Sequence, residues 1–306
     1  MGQGVAFVDG AYIDAADAKL SIFDLGFTRS DVVYDVVSTW KGLFFRLDDH
    51  IARFARSCQG IRVVCPYTGD EIKRIVAECT HRAGLEDAYV EMLITRGHFA
   101  SPSNRDIRAC IPTFMAYAIP YVWIATPEQQ DRGLHLVIAG RQRIPDESVD
   151  QRYKNFHWGD LTGGVFEALD AGADNAVLCT PSGLLAEGPG FNVFIIKDGA
   201  LATPRRNMLE GITRQTVFDL AAEIGVPAET ADLPPEALRE ADEAFICSTA
   251  GGIMPVGRVD DRVFGDGTPG PIGTRLRELY WQKREAGWLG TPIAELVGDD
   301  AVAQTA

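Results

Sequence analysis

An α+β fold in two domains is what this 306-residue sequence predicts. Three observations lead there. The length suits two domains of ordinary size, about 100–200 residues each. Strand-like and helix-like stretches mix without the regular alternation that builds a doubly wound parallel sheet. Regular patterning lapses over residues 121–133, YVWIATPEQQDRG, where Pro127 and Gly133 punctuate the chain. We therefore expect a smaller N-terminal α/β domain over 1–121, a linker over 122–133 and a larger C-terminal domain over 134–306 that carries Lys154.

The elements follow in order. In VAFVDGAYI, Asp9-Gly10 supplies the positive-φ pair that a two-residue hairpin turn demands. Residues 32–40, rich in β-branched and aromatic side chains, form a strand, Lys41-Gly42 a turn, and 43–47 the returning strand. Asp48 or Asp49 then caps a helix whose apolar Ile51, Phe54, Ala55 and Cys58 share one face. A second amphipathic helix spans 69–82, with Ile72, Ile75, Val76 and Cys79 inward and Gly84 as its stop. Strands at 89–95 and 112–119 flank a polar loop over 96–110. Beyond the junction the pattern gives strands at 134–139, 176–180, 191–196 and 244–247, with helices near 163–171, 213–224 and 272–285. The last stretch, GTPIAELVGDDAVAQTA, reads as frayed.

Composition narrows the function. A formal net charge of −14 without any basic run argues against a nucleic-acid partner. No apolar run approaches the roughly 20 residues of a membrane helix, and the opening lacks signal-peptide features, so a cytoplasmic protein is expected. Six scattered cysteines and five scattered histidines show no metal-ligand spacing, and no metal is expected.

Of the six lysines, five fall in turns or on solvated faces. Lys154, in QRYKNFHWGD, is crowded by Tyr153, Phe156, His157 and Trp158. An amine beside aromatic bulk loses hydration, which favours its neutral, nucleophilic form and Schiff-base chemistry. The same lysine could simply snorkel over an aromatic cluster. A Schiff base with pyridoxal phosphate needs an anion site and an acid for the ring nitrogen. Gly211, Ile212 and Thr213 open a helix, and Ser248, Thr249 and Ala250 lead into paired glycines, both settings that offer backbone N–H groups to an anion. Arg53 could add a positive charge, and Glu187, before a Gly-Pro-Gly turn, suits the ring nitrogen.

The ordered motifs KNFHWGD at 154, EGPGFN at 187, EGITR at 210 and STAGGI at 248 resemble the fold-type IV pyridoxal-phosphate enzymes. That group holds branched-chain and D-amino-acid aminotransferases, aminodeoxychorismate lyases and R-selective amine transaminases. GFTRSDVVYDVVS, FFRLDDHIARF, YVEMLITRG, YKNFHWGDL and TAGGIMP look most like the R-selective amine transaminases. The resemblance implies a small α/β N-terminal domain, a larger C-terminal domain with a pseudo-barrel sheet, a cofactor cleft between them, and a homodimer. It implies that Lys154 binds the cofactor and shuttles the proton, and that Glu187 pairs with the ring nitrogen. Arg53, Ile212, Thr213 and Thr249 would hold the phosphate; Tyr34, Val36, Tyr89, Glu91, Trp158 and Ala250 would line the substrate pocket. An amine or amino acid and a keto acid such as pyruvate are the implied substrates.

Two departures stand out. Arg29 occupies the position before Ser30-Asp31 where amine transaminases mostly carry histidine, and HFASPSNRDIRAC lacks their Val-Arg-Gly element. A guanidinium fork matches a carboxylate, so Arg29, Arg105 and Arg108 either select amino acids or pair charges at the surface.

Overall fold

The computed structural model describes residues 4–101 and 103–297, which divide into two compact units. In chain order the first stretch gives β1 (Val5–Val8), β2 (Ala11–Asp14), α1 (Leu25–Arg29), β3 (Val32–Trp40), β4 (Leu43–Phe45), α2 (Leu47–Gly60), α3 (Gly69–Arg82), β5 (Ala88–Phe99) and β6 (Cys110–Pro120). Next come α4 (Pro127–Arg132), β7 (Leu134–Gln142), α5 (Gly159–Asp170), β8 (Asn175–Cys179), β9 (Asn192–Lys197) and β10 (Ala200–Pro204). They are followed by α6 (Ile212–Glu223), β11 (Ala228–Ala231), α7 (Pro235–Arg239), β12 (Glu243–Ser248), β13 (Gly252–Val259), β14 (Arg262–Val263) and α8 (Pro271–Glu285). β15 (Gly290–Pro292) and α9 (Ile293–Leu296) close the described chain.

The first unit is an antiparallel sheet in the order β15-β4-β3-β5-β6-β1-β2. Asp9 and Gly10 join β1 to β2 at φ 51° and 80°, the conformation the hairpin turn requires. Strand periodicity sends Val33, Val37, Val90, Met92, Ile94, Ala116 and Ala118 to one face. There they pack against Phe54, Cys58, Ile72, Ile75, Val76 and Cys79 of α2 and α3. The second unit carries a mixed sheet, β11-β10-β9-β12-β13-β7-β8, with β14 on β13 and parallel pairs at β10–β11, β13–β7 and β7–β8. Its main core gathers Leu134, Leu136, Val177, Val193, Ile246 and Met254; α5 covers Ala176 and Leu178 through Leu161 and Ala168.

The structure differs from the expectations at several points. The chain divides at Val122–Trp123, and the expected 122–133 linker contains α4, whose Thr126 and Gln129 cap each other reciprocally. Tyr153–Phe156 and residues 284–297 group with the first unit, so Lys154 belongs there instead of with the C-terminal half. Neither Asp48 nor Asp49 is the cap of α2: Arg46 is, with φ 54°, and both aspartates lie in the first turn, where they favour the helix dipole. β5 continues to Phe99 into the expected polar loop. Of the stretch expected to fray, Gly290–Pro292 form β15, paired with β4, and Ile293–Leu296 form α9, while 298–306 lie outside the described residues. All six cysteines are free thiols.

Candidate active site

In the first unit the site residues share one sheet face. β3 alternates, so Tyr34, Val36 and Ser38 point away from α2 and α3. The register sets Val36 opposite Glu91 and Glu91 opposite Tyr117, with Tyr89 beside them opposite Ser38. The Tyr89 hydroxyl donates to Glu91 Oε2 at 3.1 Å, and Tyr117 also hydrogen-bonds this carboxyl. Burial pushes the Glu91 pKa up, only partly offset by the two phenols and the Lys154 charge. Burial and the neighbouring Glu91 raise both Tyr89 and Tyr117, keeping them as neutral donors.

The Lys154 stretch is docked onto this unit. The Tyr34 amide donates to the Lys154 carbonyl at 3.0 Å, the Lys154 amide donates to Ser57 Oγ at 3.2 Å, and Asn155 bridges Val33. Lys154 Nζ stands 4.2 Å from the centroid of the Tyr34 ring, and Phe156 packs on the same ring at 4.5 Å. Gly60, ending α2, makes room for Tyr153: a Cβ there would lie 2.3 Å from the Tyr153 ring.

Arg53 sits behind the strand with Asp35, on the helix side. Its Nε and Nη2 donate to the two Asp35 oxygens at 2.7 and 2.8 Å, and His50 Nδ1 lies 2.7 Å from Oδ1. Burial alone would raise the Asp35 pKa, but Arg53 and His50 overcome it and hold the carboxyl well below the usual range. Burial keeps the His50 pKa low, so the neutral ring donates to Asp35. Arg29, at the exposed end of α1, and Arg105 both face the Phe99 ring, at 5.9 and 4.5 Å. Phe99 ends β5, past the Val32–Thr95 pair, hence at the Tyr34 end of β3. Arg108 pairs with Asp106 at the surface.

The second unit holds the remaining candidates. Glu187 is 6% exposed; Oε1 accepts from Arg143 Nε at 3.1 Å and Oε2 from the Leu209 amide at 3.0 Å. That second bond ties Glu187 to the loop before α6. Gly211 caps α6 without a side-chain bond, placing the buried Ile212 and Thr213 at the first turn. A Cβ at Gly211 would come within 2.2 Å of Asn192 Oδ1, whose amide nitrogen holds the Leu209 carbonyl. At the end of β12, Ser248 Oγ donates to the Gly190 carbonyl at 2.8 Å and accepts from the Ala250 amide, shaping the turn that carries the half-buried Thr249. Gly251 and Gly252, at φ 141° and 72°, let that backbone turn against Met254 and Tyr280. Trp158 precedes α5, and its ring would lie 3.5 Å from a Cβ at Gly190.

In the first unit Tyr34, Val36, Tyr89 and Glu91 thus share one face with Lys154 Nζ over Tyr34, whereas Arg53 lies on the far face of β3 and Arg108 pairs at the surface; in the second, Glu187 is tied to the loop before α6, and Ser248 ties the turn carrying Thr249 to Gly190. Sequence reading missed Asp35, Ser57, Tyr117, Arg143 and Asp160. Asp35, a charge inside the apolar run VVYDVVS, was the one signal available; the others come together only through register and loop packing.

The family profile of amino-transferase class IV matches residues 32–259. A Methanocaldococcus jannaschii protein provisionally named a branched-chain-amino-acid aminotransferase is 32% identical, over 90% of this chain and 94% of its own. The D-alanine aminotransferase of Listeria monocytogenes is 30% identical, over 89% and 93%. The branched-chain amino acid aminotransferase from Thermobaculum terrenum, solved in its PLP form, superposes with a TM-score of 0.84 at 27% identity, covering 95% of this chain and 99% of that one. The donor set fits such a cofactor: a helix start left uncapped at Gly211 suits a phosphate, and a buried carboxylate at Glu187 suits a ring nitrogen. The chain belongs to the class IV aminotransferases, fold-type IV enzymes that work with pyridoxal phosphate.

Proposed function

We propose that the protein moves an amino group from an R-configured primary amine, or from a D-amino acid, to a keto acid such as pyruvate. The observation that carries this reading is the face of β3, β5 and β6 that presents Tyr34, Val36, Tyr89, Glu91 and Tyr117 together, with Lys154 Nζ 4.2 Å from the Tyr34 ring centroid. A wall of phenols and one buried acid suits an aromatic or aliphatic substituent. A carboxylate beside Glu91 would be desolvated next to a like charge or a neutral acid. Arg29 and Arg105, at the Tyr34 end of the sheet, would then receive the carboxylate of the keto acid. D-alanine is itself R-configured, so both donors present the same hand, and the similarity to a D-alanine aminotransferase supports that hand.

Residue roles follow. Arg53, the Ile212 and Thr213 amides, the Thr213 hydroxyl and Thr249 hold the phosphate; Glu187 keeps the ring nitrogen protonated; Trp158 and Ala250 complete the substrate room. Bound pyridoxal phosphate supplies the electron sink that lets the carbon–hydrogen bond beside nitrogen break. Lys154 Nζ would be the base that takes this proton and the acid that returns it. The reading includes a homodimer in the cytoplasm. The exposed Ile22, Phe23 and Phe27 offer apolar surface to a second copy. Among the described residues no helix is long and apolar enough to cross a membrane.

The second reading, a branched-chain or D-amino-acid aminotransferase or an aminodeoxychorismate lyase-like enzyme, draws on the names of the relatives. A donor panel separates them: both 1-phenylethylamine enantiomers, D-alanine and L-leucine, each with pyruvate and 2-oxoglutarate. Turnover of the R-amine or D-alanine is expected, and activity confined to L-leucine overturns the proposal. Release of pyruvate from aminodeoxychorismate would identify the lyase. If both R-amine and D-alanine react, Arg29→Ala should lower D-alanine turnover more.

A further inference from the structure

Beneath Glu187 lies a buried charge cluster that the roles above leave unused. Arg143, just after β7, is 5% exposed; Asp160, in the first turn of α5, is 8% exposed; Gln151 is 2% exposed. The guanidinium divides its donors among three partners. Nε goes to Glu187 Oε1 at 3.1 Å, Nη1 to Asp160 Oδ2 at 2.5 Å, and Nη2 to Gln151 Oε1 at 2.6 Å. Gln151 is itself held by the Ile144 and Val149 carbonyls and, through its own amide, by Asp146, so the plane of Arg143 is fixed. Asp160 also accepts from the Ile144 and Leu161 amides, which fixes its carboxylate independently of Arg143.

Two carboxylates therefore share one cation, and the shorter contact belongs to Asp160. A cation bonded to a carboxylate weakens that carboxylate's attraction for any other proton, and inside a protein the effect is large because screening is low. Arg143 acting on Glu187 alone would weaken its pull on a ring proton; Asp160 counteracts this by drawing on the same guanidinium. We propose that Asp160, acting through Arg143, sets how strongly Glu187 holds the proton on the cofactor's ring nitrogen. Asp160 is thus a positioning residue, and Gln151 keeps the fork aimed at both acids. The inference rests on the assignment of Glu187 to the ring nitrogen. Among the described residues, the charged groups hydrogen-bonded into the cluster include Arg143, Asp160, Glu187 and, beyond Gln151, Asp146.

The test uses the holoenzyme loaded with cofactor labelled with nitrogen-15 in the ring. NMR follows the ring nitrogen across pH in the native protein and in Asp160→Asn, Gln151→Glu and Glu187→Gln, with the melting temperature of each recorded. Asp160→Asn removes the carboxylate that competes with Glu187 for Arg143, and the ring proton should be lost at a pH lower by about one unit. Gln151→Glu adds a second competing carboxylate, so the proton should persist to higher pH. Opposite shifts support the inference. Unmoved midpoints in both variants overturn it, including the case where Asp160→Asn lowers only the melting temperature. Should Asp160→Asn fail to fold, Gln151→Glu alone decides, an upward shift supporting and no shift overturning. Glu187→Gln keeps the two ideas apart. If it removes the ring proton while the other variants leave it in place, the Glu187 assignment stands and this inference falls. If it leaves the ring signal native, the assignment fails and takes the inference with it.

Discussion

Asp35 illustrates how one residue links strand, helix and stability. Its carboxylate is fully buried and accepts from Arg53, His50 and the Val36 amide. Asp35→Asn would leave the Arg53 charge buried without its carboxylate, at a cost of about 3–5 kcal/mol. The pH dependence has a definite sign. The folded pKa of Asp35 is depressed, so its stabilisation is present above the unfolded value of about 4 and is lost as pH falls through and below it. His50 is also depressed: the unfolded chain binds its proton first, and stability declines as pH drops below about 6.5. Urea midpoints of the native protein should therefore fall in two stages on acidification, and Asp35→Asn should lack the lower stage. Equal slopes below about pH 4 would show that Asp35 is not the linked group. At this scale aromatic crowding and ordered motifs single out Lys154 in the sequence. Tyr117 was not legible there, because its place beside Glu91 depends on a register that no local pattern encodes.

Among the elements, the ends of α2 and α6 carry the positioning. Gly60, the last residue of α2, seats Tyr153 and with it the Lys154 stretch. Gly60→Ala should preserve the far-UV circular dichroism yet lower kcat by on the order of a hundredfold, the cost of roughly 1 Å of misplacement. Unchanged kcat would mean that Tyr153 moves without carrying Lys154. Gly211, at φ −63°, has no backbone need to be glycine. Its role is steric, since a Cβ would strike Asn192 and disturb the Leu209 loop. Gly211→Ala should weaken pyridoxal phosphate binding at least about tenfold by equilibrium titration, a loss of roughly 1.4 kcal/mol. An unaltered dissociation constant would remove α6 from the phosphate site. The long amphipathic helices α2 and α3 were readable because their apolar spacing repeats over several turns. The short α4 falls inside the expected linker, although TPEQ carries its capping box in plain view. The cap of α2 misled for a related reason: acidic residues serve a first turn as well as an N-cap, and only the left-handed Arg46 tells the two apart.

For the whole molecule, the two-unit, mixed α and β character followed from element spacing, but chain routing did not. The stretches at 153–156 and 284–297 return to the first unit, and such long-range returns leave no periodic trace. They matter because Lys154 travels with one return, while Glu187, Ile212, Thr213 and Thr249 stay in the second unit. A ligand that binds only the native chain adds roughly 2.7 kcal/mol at about a hundred times its dissociation constant. In a chain this long that should raise the unfolding midpoint by about 5 °C. Pyridoxal phosphate should produce this shift in the native protein. Pyridoxal, which lacks the phosphate, should produce a clearly smaller one at the same concentration, as should pyridoxal phosphate with Gly211→Ala. Calorimetric scans of these three samples separate the contributions: equal shifts from pyridoxal and its phosphate would mean that the α6 amides and Thr249 do not hold the phosphate.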